Sequence, residues 1–254
     1  MKKLLLLSII IIPLLVFGIL ILNNKSTTPQ KSGAQNFVSS PSPTPNSIDI
    51  NGFKVSWYEI NNIDNLKLIP NFTEKLSSKE IIAQNNCKFL SNSAFYSKDN
   101  QPLGLIVANN QTIANWRENP LFDGILSIND MATPRITRSI PQDRLVTAIQ
   151  TGPILKENNQ FQTLKIQNDY ESRRVVAAIT GENKLFFLSI YNPDSQFSGP
   201  FLADLPNALK SFEQKSGIIF ADIVNLDGGA ASTFNAEGES LSELSPVGAF
   251  FCQL

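Results

Sequence analysis

The chain contains no histidine. That absence excludes a Ser-His-Asp or Cys-His nucleophile, a histidine-ligated zinc and an imidazole proton shuttle. Acid–base chemistry must therefore come from carboxylates, Lys, Tyr, Cys or water. Excess charge is missing too: 21 Lys and Arg face 22 Asp and Glu, a formal net charge of −1. Without a basic surplus, the composition argues against nucleic acid as a partner. Charged residues make up only 17% and apolar ones 42%, so the bulk of the chain can build a core. Cysteine is scarce, with Cys87 and Cys252 alone. They suit either one disulfide closing a long loop or two small buried apolar side chains, and the sequence holds no geometry to choose between these. Asparagine, by contrast, is abundant at 26 residues, which reads as compositional bias without mechanistic meaning.

One long apolar run is present, at the N-terminus. Met1-Lys2-Lys3 precedes an uncharged stretch from Leu4 to Leu22. At about 1.5 Å per residue this run spans roughly 28 Å, close to the hydrocarbon thickness of a bilayer. It exceeds the about 7–15 apolar residues of a cleaved signal peptide, and it ends in Ile21-Leu22-Asn23-Asn24 with no small-x-small cleavage site. No cysteine follows, so a lipoprotein anchor does not fit. Residues 1–22 therefore read as a cytoplasmic lysine pair and an uncleaved transmembrane signal anchor, with the C-terminal part outside the cytoplasm. Residues 23–49 are rich in Pro, Ser, Thr and Asn, including Ser40-Pro41-Ser42-Pro43-Thr44-Pro45, and read as an extended spacer. Residues 50–254 suit a single domain, without internal repeats.

Within that domain, alternating Phe53, Val55 and Trp57 predict a half-buried strand. Ser77-Ser78-Lys79-Glu80 has capping-box spacing and predicts a short helix from Ser77. Further strands are expected near residues 87–96, 103–108, 145–150, 174–180, 184–191, 218–224 and 247–252. Leu202, Leu205, Leu209 and Phe212 recur at helical spacing, with Pro206 in the first turn and Gly217 as a stop. Strands outnumber helices, so the fold expected is α+β, a single mixed sheet with flanking helices.

The sharpest local feature lies where the buried strand 218–224 runs into Asn225-Leu226-Asp227-Gly228-Gly229, then Ala230-Ala231-Ser232-Thr233. A carboxylate at a strand end, two glycines that let backbone approach a ligand, and hydroxyls after them suit a sugar or phosphate. The same residues also make an ordinary tight turn. Three other segments accompany it: Asn92-Ser93-Ala94-Phe95-Tyr96, Thr151-Gly152-Pro153-Ile154-Leu155, and the strand opened by Arg173-Arg174.

In this order the segments resemble the phosphodiester glycosidase family over about Cys87 to Phe234. Asn92 matches the Asn of that family's first block, Gly152-Pro153 its Gly-Pro, Arg174 its motif arginine, and Asp227, Gly228, Gly229, Ser232 and Thr233 its Asp-Gly-Gly run. The chain departs from the pattern where Ser93 and Ala94 stand for two glycines, Ala178 for a glycine, and Ala230 and Ala231 for Gly and Ser. Wherever such a glycine held positive φ, the replacement would strain the turn.

The resemblance implies hydrolysis of a sugar-1-phosphodiester on the glycosidic side, in cell-envelope or exopolysaccharide glycans. Asp227 would be the base or electrostatic stabiliser and Arg174 the phosphate clamp. Asn92, Gly152, Gly228, Gly229, Ser232 and Thr233 would bind substrate. No cofactor is implied, and no metal, since no Asp-x-Asp ligand spacing occurs. Arg173 faces away from Arg174 and is expected to be structural. Two alternatives stay open: a catalytically silent glycan-binding module of the same fold, favoured by the replaced glycines, and an assembly factor for cell-wall polymer export, suggested only by the anchor and spacer. The sequence does not fix the oligomeric state.

Overall fold

The strand Arg174–Thr180 shows how the domain is built. Its residues alternate between two faces, and both faces are apolar. Val176 and Ala178 join a core with Leu188, Ile190, Leu205, Leu209 and Phe212. Val175, Ala177 and Ile179 join a second core with Phe89, Ile106, Leu126, Phe187 and Phe251. A strand covered on both sides reads as a continuous apolar run, which is why the sequence locates it well.

The computed structural model describes residues 46–254. Among these, the strands fall into three sheets of seven, five and five, and every ladder is antiparallel. The α+β, strand-dominated expectation therefore holds, while the single sheet is replaced by three. Which strands pair is decided by contacts far apart in sequence, which local periodicity does not encode. The large sheet runs in the order 47–50, 53–59, 185–191, 174–180, 220–225, 154–157, 160–161. One of its faces carries helix α2, Leu205–Ser216, and the other carries the two smaller sheets.

Helix α1, Ser78–Asn85, begins with the expected capping box: Ser77 and Glu80 exchange backbone-to-side-chain bonds, with the Ser77 amide donating to Glu80 at 2.7 Å. In α2, Pro206 sits in the first turn and Gly217 ends the helix at φ 76°. Leu205, Leu209 and Phe212 are fully buried, each worth about 1.5–3 kcal/mol. Cys87 and Cys252 form a disulfide across 165 residues.

The asparagine surplus has a structural use after all. Among the described residues, eleven other than glycine hold positive φ, and nine of them are Asn. Asn tolerates the left-handed region because its short amide can bond to nearby backbone. With only 13 glycines in the chain, Asn takes over many tight turns.

The expected anchor (residues 1–22) and nearly all of the spacer lie outside the described residues. Among the described residues, no helix is long and apolar enough to cross a membrane.

Candidate functional site

The site lies where one end of the large sheet meets the second sheet, that of strands 66–70, 89–92, 234–236, 239–241 and 249–253. Strand 220–225 pairs with strand 174–180, and Val176 faces Asn225. Continued two residues further, that register sets Arg174 opposite Asp227. The Leu226 amide still donates to Val175 at 2.9 Å, but the Asp227 amide donates to the Ser93 carbonyl at 3.2 Å. The chain thus crosses from one sheet to the other at Asp227.

Asn92 fixes both ends of the turn that follows. Its amide nitrogen donates to the Asp227 carbonyl, and its oxygen accepts from the Thr233 amide at 2.9 Å. Asn92, Ser232 and Thr233 are completely buried. The Ser232 hydroxyl donates to the Gly229 carbonyl at 2.6 Å and accepts from Arg173 Nε at 2.7 Å. The Thr233 hydroxyl donates to the Leu241 carbonyl at 2.8 Å. These side chains brace the turn from inside and have no surface to offer a sugar. The two glycine amides are also engaged: Gly228 donates to Asp227 Oδ1 at 2.9 Å and Gly229 to the Arg173 carbonyl at 3.1 Å. Gly229 has φ 65°, where a side chain would be strained.

Gly152 stands behind the turn. Its carbonyl accepts from Asn225 Nδ2 at 2.9 Å. A Cβ there would meet the Leu121 carbonyl oxygen at 2.6 Å, so glycine is required for packing.

Both arginines are buried, with different partners. Arg173 Nε bonds the Ser232 hydroxyl, and its Nη2 bonds the carbonyls of Ser232 and Ser242, the latter at 2.7 Å. Its guanidinium lies over the Phe197 ring at 5.1 Å. Burial lowers its pKa to about 10. Arg173 holds the turn that carries the candidate site, and its buried Nη1 has no partner among the described residues. Arg174 donates Nε to Pro200 at 3.1 Å and Nη2 to Asp169 at 3.2 Å and to Tyr170 at 2.6 Å. Among the described residues its Nη1 has no partner, and this nitrogen would lie 3.6 Å from a Cβ on Gly228.

Asp227 itself carries the strongest electrostatic signal. Burial raises its carboxyl from 3.8 to about 7, opposed only by the Gly228 amide on Oδ1. Among the described residues, no donor reaches Oδ2. A carboxyl near neutrality in a histidine-free chain is poised for proton transfer near pH 7.

Two residues join the site that sequence reasoning did not assign. Tyr170 is 64% exposed, and its hydroxyl would lie 3.5 Å from a Cβ on Gly229. Tyr96 donates its hydroxyl to the Pro246 carbonyl, and its pKa is raised by burial and by the nearby Asp227 charge. Tyr96 belongs to the Asn92 block, so its proximity had a sequence signal. Tyr170 and Asp169 had none beyond their closeness to Arg174.

The replaced motif glycines bring no strain. None of Ser93, Ala94, Ala178, Ala230 and Ala231 holds positive φ. The expected penalty does not arise, and the departures lose their weight as evidence for a silent module.

No curated protein matches the sequence. Among solved structures, the chain is similar to the catalytic domain of zebrafish N-acetylglucosamine-1-phosphodiester α-N-acetylglucosaminidase, described as auto-inhibited by its pro-peptide. The TM-score is 0.60 at 12% identity, covering 83% of this chain and 86% of that one. It is also similar to a hypothetical protein from Synechocystis, with TM-score 0.60 and 14% identity over 82% of this chain and 61% of that one. At these identities the likeness establishes the fold. The sequence matches phosphodiester glycosidase over residues 85–249, and the chain belongs to the phosphodiester glycosidase family.

Proposed function

We propose that this protein hydrolyses sugar-1-phosphodiesters at the glycosidic bond. The observation that carries this reading is a strand end where, among the described residues, Asp227 Oδ2 has no donor and the two glycines that follow lie against Arg174 Nη1 and the Tyr170 hydroxyl, which have no partner there either. A phosphate ester seated on Arg174 would place the anomeric carbon beside Asp227. Water attacks that carbon and Asp227 takes its proton. The bond from the anomeric carbon to the phosphate oxygen breaks, and the phosphomonoester leaves with the electron pair. A phosphomonoester is a good leaving group, so a strong general acid is unnecessary. Asp227, turned toward the reacting carbon, also stabilises oxocarbenium-like charge. Asn92, Ser232, Thr233 and Arg173 act indirectly, by holding the turn.

The protein is further proposed to work outside the cytoplasm, tethered by the apolar segment 4–22 and acting on envelope or exopolysaccharide glycans. The disulfide supports an oxidising compartment.

Sugar release from a panel of sugar-1-phosphodiesters, followed by mass spectrometry, tests the activity. Asp227→Asn is expected to lower kcat by about 10²–10⁴ with little change in binding. Because the base must be deprotonated, the native rate is expected to rise with pH and level off above about 7. Substrate binding with no turnover across the panel would instead mark a glycan-binding module.

A further inference from the structure

Building on the hydrolase reading, we propose that the alcohol carried by the substrate phosphate is apolar, an alkyl or lipid alcohol, and that it lies in a groove one strand away from Asp227. This groove has a volume of about 480 Å³, inside the roughly 300–1,000 Å³ of small-molecule sites. Pro120, Leu121, Pro153, Leu164 and Ile166 line it, together with Asp123, Thr163, Lys165 and Gln167.

Its position follows from the sheet. The Pro153 carbonyl accepts the Asn225 amide at 3.0 Å, two residues before Asp227. Neighbouring strands lie about 4.8 Å apart, so the groove opens one strand spacing from the strand that ends in Asp227. The opposite wall belongs to the segment that continues into Asp169 and Tyr170, the residues that hold Arg174. An ester chain leaving a phosphate at Arg174 Nη1 therefore has the groove beside it.

The walls are fixed rather than incidental. Asp123 Oδ1 accepts the Ile154 amide at 2.9 Å, and Oδ2 pairs with Arg138. Leu164 and Ile166 pack against the core under α2. Leu121 nonetheless stays 43% exposed. The carboxylate in the wall, Asp123, is already spent on the Ile154 amide and Arg138, and Thr163 and Gln167 are exposed to water. What the groove leaves to be covered is Leu121, Leu164, Ile166 and two prolines, which a hydrocarbon chain would cover. The Lys165 ammonium suits the phosphate that such a chain carries.

The test titrates the full chain with octyl phosphate and with methyl phosphate by calorimetry, in the native protein, Leu121→Asp and Thr163→Trp. Octyl phosphate is expected to bind at least about tenfold more tightly than methyl phosphate, since burying two methylene groups already corresponds to that. In both variants the preference should shrink to within about twofold, with methyl phosphate affinity and thermal midpoint unchanged. Equal affinities in the native chain, or a preference that both substitutions leave intact, overturn the proposal. Hydrolysis of an octyl sugar-1-phosphate is measured alongside. An octyl preference without turnover keeps the groove and removes the hydrolase reading, and turnover without that preference does the reverse.

Discussion

Two carboxylates against the large sheet, one buried and one half-buried, are treated in opposite ways. Glu213 on α2 is met by Lys156 at 2.8 and 2.9 Å and by the Phe220 amide at 2.9 Å. The Lys156 ammonium also lies over the Phe161 ring at 4.6 Å. Both side chains of this pair are over 90% buried. Asp227, at the sheet's end, has one backbone donor and no cation in contact. A compensated buried charge ties helix to sheet, whereas an uncompensated one is kept at a cost in stability and gains reactivity. The difference separates scaffold from site without reference to any motif.

The largest effect is expected from breaking the satisfied pair. Glu213→Gln leaves Lys156 buried without its counter-charge and should cost about 3–5 kcal/mol in urea unfolding. A loss below about 1 kcal/mol would erase the contrast between the two carboxylates.

Asp227→Asn should act with the opposite sign. The folded carboxyl titrates near 7 and the unfolded one near 3.8, so folding takes up a proton between those values. Stability from this group is present at low pH and is lost as pH rises through about 7. Asp227→Asn removes the penalty, and at pH 8 it should gain about 2–4 kcal/mol. At pH 4 the gain should vanish, and unfolding curves at the two pH values check the sign.

Ser232→Ala is the smaller perturbation on the site's side. It strips one acceptor from the buried Arg173 guanidinium and should cost about 1–3 kcal/mol. It should also lower kcat more than it raises KM, because the turn carrying Asp227 loosens. Unchanged kcat would show that the brace and the reactive carboxyl are uncoupled.

Much of this contrast was readable in the chain, but unevenly. Helix α2 and the strand leading into Asp227 follow from apolar spacing and the Gly217 stop, which are local signals. Strand Gly124–Asn129 went unpredicted because Gly124, Ser127 and Asn129 break the apolar run that marks Arg174–Thr180, although both strands are buried. Strand Leu66–Pro70 was masked by its terminal proline, which belongs at a sheet edge. For the candidate site, motif order singled out the turn after Asp227 but not what each side chain in it touches. Asn92, Ser232 and Thr233 carry polar groups that look available in sequence and are spent on backbone in the fold. Asparagine frequency was misread for a related reason, because φ is a property of the folded backbone.

The disulfide deserves a last consequence. Cys87 and Cys252 lie at the two ends of the family region, so nearly all of it forms one covalent ring. A protease that cuts any exposed loop between them opens the ring without releasing a fragment. The nicked chain stays in one piece without reductant, heavier only by the water added at the cut, and separates into pieces only when thiol is added. For a protein proposed to work outside the cell, that ring converts a single cleavage from loss of the domain into a tolerated scar.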